Sequence, residues 1–87
     1  MNEVEERALE QLGIIEQAYS IKIQNKKEVA GLIADLVDDK RLVLMICTCL
    51  NSWIAGLSAK GDVTIPLQII EKFTGLSSIF KKREDVT

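Results

Sequence analysis

Histidine is absent from the 87-residue chain, proline occurs once, and the five glycines are scattered. Without histidine, catalysis by a Ser–His or Cys–His pair is excluded. Scattered glycines exclude a glycine-rich phosphate-binding loop. Neighbouring carboxylates such as Asp38 and Asp39 point apart on a helix and are typical of solvated helix caps. We therefore predict a protein that is not an enzyme and that uses no cofactor.

Cysteine is scarce, and the two cysteines stand close together as Cys47 and Cys49. On a helix they are about 200° apart, so a disulfide between them would be badly strained. A metal site would need further sulfur or imidazole ligands, so we predict no metal and two reduced thiols. The N-terminus is acidic and lacks the apolar segment of a signal peptide. We therefore expect a cytoplasmic protein.

Charge of either sign is also limited, with a net charge of −2 and 28% charged residues. This balance gives no strong signal for nucleic-acid binding. Hydrophobic residues make up 47% of the chain, which predicts folding rather than disorder. We find no repeat, linker or low-complexity segment. The sequence predicts one helical domain over residues 1–80 and a charged, mobile tail over residues 81–87.

The longest uncharged stretch runs from Leu42 to Ala59, and 12 of the 16 residues from Leu42 to Leu57 are apolar. Its apolar residues repeat at intervals of three and four, which predicts a helix with the seam Val43, Ile46, Leu50, Trp53 and Leu57. A buried strand through residues 42–49 is an alternative. A membrane span is another, because the length reaches the lower limit for one, although Thr48, Asn51 and Ser52 dilute the hydrophobicity.

Other segments also show helical spacing. A first helix is predicted from Asn2 to about Ile23, with a seam of Val4, Ala8, Leu12, Ile15 and Tyr19. The alternation in residues 19–23 admits a short strand, which we interpret as a frayed helix end or an extended exit. A second helix begins after Asn25, a predicted N-cap with Glu28 three residues later.

Two boundaries then follow along the chain. At residues 38–41, a break and one continuous helix are equally compatible with the spacing. Gly61 is predicted to end the central helix, and a last helix is predicted over residues 66–74. The predicted fold class is all-α, a small bundle of three to five helices around a central apolar helix at about 42–59.

The central helix has more apolar and small surface than the other segments can cover. Besides its seam it carries a set of small or polar residues that share one side: Thr48, Ser52, Ala55, Gly56 and Ala59. Small residues allow a second backbone to approach closely. Because soluble monomers rarely leave such a strip exposed, we predict that these five residues form the interface of a homodimer or higher oligomer.

A second candidate site is a basic cluster beside an aromatic residue, formed by Tyr19, Lys22, Lys26 and Lys27. A ring flanked by cations can hold an anionic, nucleotide-like ligand. The simpler interpretation is that Tyr19 belongs to the core and the lysines cover its edge. The leading functional hypothesis is a small interaction protein (an adaptor, inhibitor or regulator) that acts as a homo-oligomer. The alternatives are sequestration of an anionic ligand between protomers and a membrane-associated small protein.

Overall fold

The structure is a computed structural model that describes residues 3–75, and this part of the chain is mostly helical, as predicted. The predicted tail at residues 81–87 lies outside the described residues. The elements in chain order are α1 (Glu3–Tyr19), β1 (Ile21–Ile23), α2 (Lys26–Leu36), α3 (Lys40–Leu57), β2 (Gly61–Val63) and α4 (residues 67–75).

The predicted seam of α1 forms its buried face, where Ala8, Leu12 and Ile15 are at most 5% exposed. Three glutamates in the first turn suit the positive end of the helix macrodipole. The helix ends at Tyr19 rather than near Ile23, because Ser20 adopts a left-handed conformation with φ 53°. The local alternation at residues 19–23 therefore belongs to a separate element.

That element is the short strand that the alternation admitted, β1 at Ile21–Ile23, so the chain leaves α1 extended and the interpretation as a frayed helix end is wrong. β1 pairs with β2 in parallel, with Ile21 opposite Gly61 and Ile23 opposite Val63. The Gln24 N–H extends the pairing by donating to the Val63 carbonyl at 2.8 Å. The partner lies 40 positions away in the sequence and contains Gly61 and Asp62, residue types that are depleted in strands. Local pattern alone could not reveal it.

The chain breaks between α2 and α3, which settles the alternative that the sequence left open at residues 38–41. Val37 turns to an extended conformation and is buried, while its N–H still donates to the Ile33 carbonyl at 2.9 Å. Asp39 then caps α3, because its carboxylate accepts the Arg41 N–H at 2.8 Å. An N-cap of this kind stabilises a helix start by about 1 kcal/mol.

The apolar seam of α3 is confirmed over its first half, where Val43, Ile46 and Leu50 are fully buried. It then drifts, because a straight helix has 3.6 residues per turn and the seam has 3.5. Ile54 is therefore buried, while Trp53 is half-buried and Leu57 is 47% exposed.

The predicted end of α3 at Gly61 is wrong. The helix ends at Leu57, and Ser58 takes the left-handed conformation with φ 52°. Gly61, with φ 72°, instead opens β2. A glycine suits this position because it adopts positive φ without a steric cost.

The two halves of the described chain share one architecture, although the sequence shows no repeat. Each half has a long helix, a serine at positive φ, a three-residue strand and a second helix. The first helices run in the same direction: Lys40 Nζ lies 3.2 Å from Glu3 Oε2 where α1 and α3 begin, and both helices lead into the parallel strands. The side chains of α1 and α3 therefore border one long groove.

Asn25 joins the two halves next to the strand pair. Its side-chain amide donates to the Ile65 carbonyl at 2.8 Å and its oxygen accepts the Ile65 N–H at 3.0 Å. Asn25 is the N-cap residue of α2, as predicted, but its side chain forms no capping hydrogen bond. An amide that both donates and accepts is required here, since Ile65 is buried and its backbone groups need partners.

Candidate functional site

The predicted basic cluster lies where α1, β1 and α2 meet, and one of its members, Lys26, contacts a carboxylate. Glu16 Oε1 accepts a hydrogen bond from Lys26 Nζ at 2.9 Å, and Glu16 Oε2 accepts the Ile23 N–H at 2.8 Å. The hydrogen bond from Ile23, followed by the Lys26 contact, lowers the pKa of Glu16 from its ordinary value. Lys26 is therefore engaged with an internal partner.

The other members of that cluster are distributed differently. Tyr19 is half-buried and packs against the core, whereas Lys22 and Lys27 are exposed. An anionic ligand at this place stays a prediction, and Lys22 and Lys27 are the cations left to bind it. Sequence reasoning missed Glu16. The available signal was its position three residues before Tyr19, which places both side chains on one side of α1.

Four of the five predicted interface residues lie together on the side of α3 that faces away from the core. Thr48, Ser52, Ala55 and Gly56 are exposed, whereas Ala59 lies beyond the helix end, is half-buried and packs against the core. We call Thr48, Ser52, Ala55 and Gly56 the small face. The Thr48 hydroxyl donates to the Leu44 carbonyl at 2.8 Å, so its polarity is partly satisfied within the helix. A Cβ added at Gly56 would meet no atom within 4 Å, so this position is open to a neighbour.

A groove of mixed polarity between α1 and α3 borders the small face. It has a volume of about 170 Å³ and is lined by Gln11, Ile14, Ile15, Leu44, Cys47, Thr48 and Asn51. Ile14 and Leu44 stand at its edges and are 52% and 43% exposed. Cys47 is buried, and burial raises the pKa of its thiol to about 11. We call this feature the α1–α3 groove.

Towards the start of both helices the groove becomes acidic. A recess of about 220 Å³ is lined by Glu3, Glu6, Arg7, Glu10 and Lys40. Lys40 pairs with Glu3 at 3.2 Å, and Arg7 lies 3.7 Å from Glu10. Glu6 is exposed and forms no ion pair within residues 3–75. We call this region the acidic recess.

α3 is also long and apolar enough to cross a membrane by length and composition, with a mean hydropathy of 1.2. Five of its 18 residues are buried within the chain. Within residues 3–75, no three cysteine, aspartate or glutamate side chains gather closely enough to hold a metal ion. These observations leave the outer side of α3 as the main surface whose composition needs an explanation.

Comparison with known proteins adds no further assignment. No protein-family model, curated protein or solved structure matches the chain.

Proposed function

We propose that the protein is a small, non-enzymatic interaction protein that acts as a homodimer through the small face of α3. The observation that carries the proposal is the mismatch between the composition and the burial of α3. Twelve of its residues are apolar; five of these are buried, four are half-buried, and Leu44, Ala55 and Leu57 are exposed. Because a helix that is apolar on most sides must be surrounded, the surface of α3 needs a partner.

Several features favour a protein partner over lipid. Thr48, Asn51 and Ser52 bring hydroxyl and amide groups to the outer side of α3, and a bilayer interior would leave such groups without water. Ala55 and Gly56 provide a flat strip along which another helix can approach closely. The hydropathy of 1.2 also reflects a weakly apolar helix. A partner helix therefore suits the small face better than acyl chains do.

A second copy of the same chain is the simplest partner. α3 is about 27 Å long, and a dimer that buries about 800 Å² on each partner would cover the small face together with the neighbouring α1–α3 groove. Twofold contacts, in which the same patch serves both subunits, are the commonest in soluble assemblies. We infer that this dimer is the form in which an adaptor, inhibitor or regulator of this size would meet its target.

The experiment is size-exclusion chromatography with light scattering at micromolar concentration. We expect a mass of twice the 9.7 kDa of the chain. Gly56→Leu should return the mass to that of one chain, because a bulky side chain would separate the two α3 backbones.

Gly13→Leu is the matched control. Gly13 also lies within a helix, and a Cβ there would likewise meet no atom within 4 Å. Both substitutions therefore fit the single chain and replace glycine by a better helix former. Only the Gly56 substitution should dissociate the dimer. A wild-type mass of 9.7 kDa, or equal effects of the two substitutions, would contradict the proposal.

A further inference from the structure

We infer that the junction between α2 and α3 is a hinge through which two chains exchange their second halves. In the exchanged dimer, residues 3–36 of one chain pack against residues 40–75 of the other, and α2 continues into α3 as one helix. The inference goes beyond the proposed homodimer, because it uses none of the small face. The contacts that the single chain already makes give the orientation of the second copy.

The two halves of the chain are held together by specific contacts. α1 packs against α3, β1 pairs with β2, and Lys40 Nζ lies 3.2 Å from Glu3 Oε2. The Asn25 side chain binds both backbone groups of Ile65. A second copy carries the same surfaces and can supply each of these contacts unchanged. Exchange therefore needs no new interface, which makes it a low-cost route to a dimer.

The junction itself contributes little to closing the chain. α1 packs against both α2 and α3, whereas α2 and α3 have little direct contact with each other. Residues 37–39 form the whole connection between the two helices, and they include neither glycine nor proline. Opening the junction therefore separates the two helices without uncovering a large surface between them.

The junction is also close to helical in the closed chain. The Val37 N–H still donates to the Ile33 carbonyl four residues earlier, at 2.9 Å, as in an α-helix. The Asp39 carbonyl already accepts the Val43 N–H at 3.3 Å. The spacing of the apolar residues is compatible with one continuous helix, which over residues 26–57 would be about 48 Å long. Straightening the junction therefore completes a helix.

Asp39 is the residue that maintains the break. Its carboxylate accepts the Arg41 N–H at 2.8 Å, and its backbone is extended, with φ −118° and ψ 126°. A continuous helix loses this cap at both junctions of the exchanged dimer. The closed chain is therefore favoured at low concentration, and exchange is favoured when the concentration rises or the cap is removed.

Two substitutions should shift this balance in opposite directions. Asp39→Ala removes the cap and introduces a better helix former, so the Kd of the exchanged dimer should fall about thirtyfold, since one cap is lost in each chain. Lys40→Pro should abolish exchange, because proline breaks the interior of a continuous helix. The closed chain accepts it, since residue 40 begins α3 and the extended Asp39 suits the residue before a proline.

Lys40→Ala is the matched control for Lys40→Pro. It also removes the contact with Glu3, but it keeps a residue that favours a continuous helix. This variant should exchange at least as readily as the chain with lysine. Circular dichroism checks that each variant is folded before its exchange is measured.

Cross-linking across the strand pair detects exchange directly. Lys22 and Asp62 are exposed and lie opposite each other on β1 and β2, and such strands are about 4.8 Å apart. Lys22→Cys is made in one chain and Asp62→Cys in another. Both chains also carry Gly56→Leu, so that the small face does not contribute, and Cys49→Ala, because Cys49 is half-buried and would compete for the reagent. The mixture is unfolded in urea, refolded at millimolar concentration and treated with a short bismaleimide.

We expect a product of two linked chains, because exchange places position 22 of one chain beside position 62 of the other. Each variant refolded alone should give no such product, since its two substituted positions then lie in different halves of the dimer. The yield should rise when both chains carry Asp39→Ala, disappear with Lys40→Pro and persist with Lys40→Ala.

Two results would overturn the inference: no linked chains from the Asp39→Ala mixture, or equal yields from Lys40→Pro and Lys40→Ala. Neither result affects the proposed homodimer, which is measured on the unsubstituted chain at micromolar concentration. A monomeric mass in that measurement would overturn the homodimer and leave the exchange standing.

Discussion

Glu16 is expected to contribute more to stability than any exposed glutamate of α1. Replacing Glu16 by alanine leaves the N–H of Ile23, a residue 3% exposed, without its acceptor. An orphaned buried donor costs about 1–3 kcal/mol. The lost pair with Lys26, whose side chain is 37% exposed, adds at most about 1 kcal/mol. We expect a loss of about 2–3 kcal/mol, a large fraction of the stability of a domain this small.

Thermal and urea unfolding followed by circular dichroism measure this loss, which should lower Tm by about 10–20 °C. Glu10→Ala is the control, because the Glu10 side chain is 64% exposed and its contact with Arg7 is 3.7 Å. It should change stability by less than about 0.5 kcal/mol. Equal effects of Glu16→Ala and Glu10→Ala would refute the assignment of Glu16 as the junction between α1, β1 and α2.

The pH dependence supplies a second check on the same residue. The pKa of Glu16 is lowered in the folded chain, so its ionised form stabilises the fold above the unfolded-state pKa of about 4.3. That contribution is lost as the pH falls through the folded pKa. Glu16→Gln keeps an acceptor for the Ile23 N–H and removes the titration. It should therefore flatten the decline in unfolding free energy below pH 4.3, and an unchanged slope would contradict this.

Two further predictions concern Asn25 and Cys47. Asn25→Asp keeps a residue type that is favoured at helix N-caps but removes the donor to the Ile65 carbonyl. Urea unfolding should therefore show a loss of about 2 kcal/mol in unfolding free energy. An unchanged unfolding free energy would contradict the role of Asn25 in joining the two halves. Cys47 is 4% exposed, and burial raises the pKa of its thiol to about 11. Iodoacetamide at pH 8 should therefore modify Cys47 only after unfolding, as measured by peptide mass spectrometry. Prompt labelling of the native protein would contradict this and show that the α1–α3 groove opens.

The helices were predictable because their signals are local. The spacing of Ala8, Leu12 and Ile15 predicts the buried face of α1, and Val43 with Ile46 does the same for α3. These patterns arise from the period of a single helix, and a sequence window displays them completely.

The features that the sequence did not predict depend on partners far along the chain. β1 needs β2, which lies 40 positions later and has little strand character. Asn25 was interpreted through its neighbours, whereas its hydrogen bonds go to Ile65. The small face was predicted by residue type, but the α1–α3 groove beside it required knowing that α1 and α3 run in the same direction.

The wide separation of β1 and β2 has a consequence during synthesis. At about 5–20 residues per second, β1 emerges roughly 2–8 seconds before the strand that completes its sheet. During that interval a strand edge with apolar residues on one face is open to pairing with other chains. Glu16 belongs to the half already made, and its carboxylate binds the outward-facing N–H of Ile23. The nascent chain can therefore block the edge of β1 that faces away from β2, while the edge that pairs with β2 stays open until that strand is made.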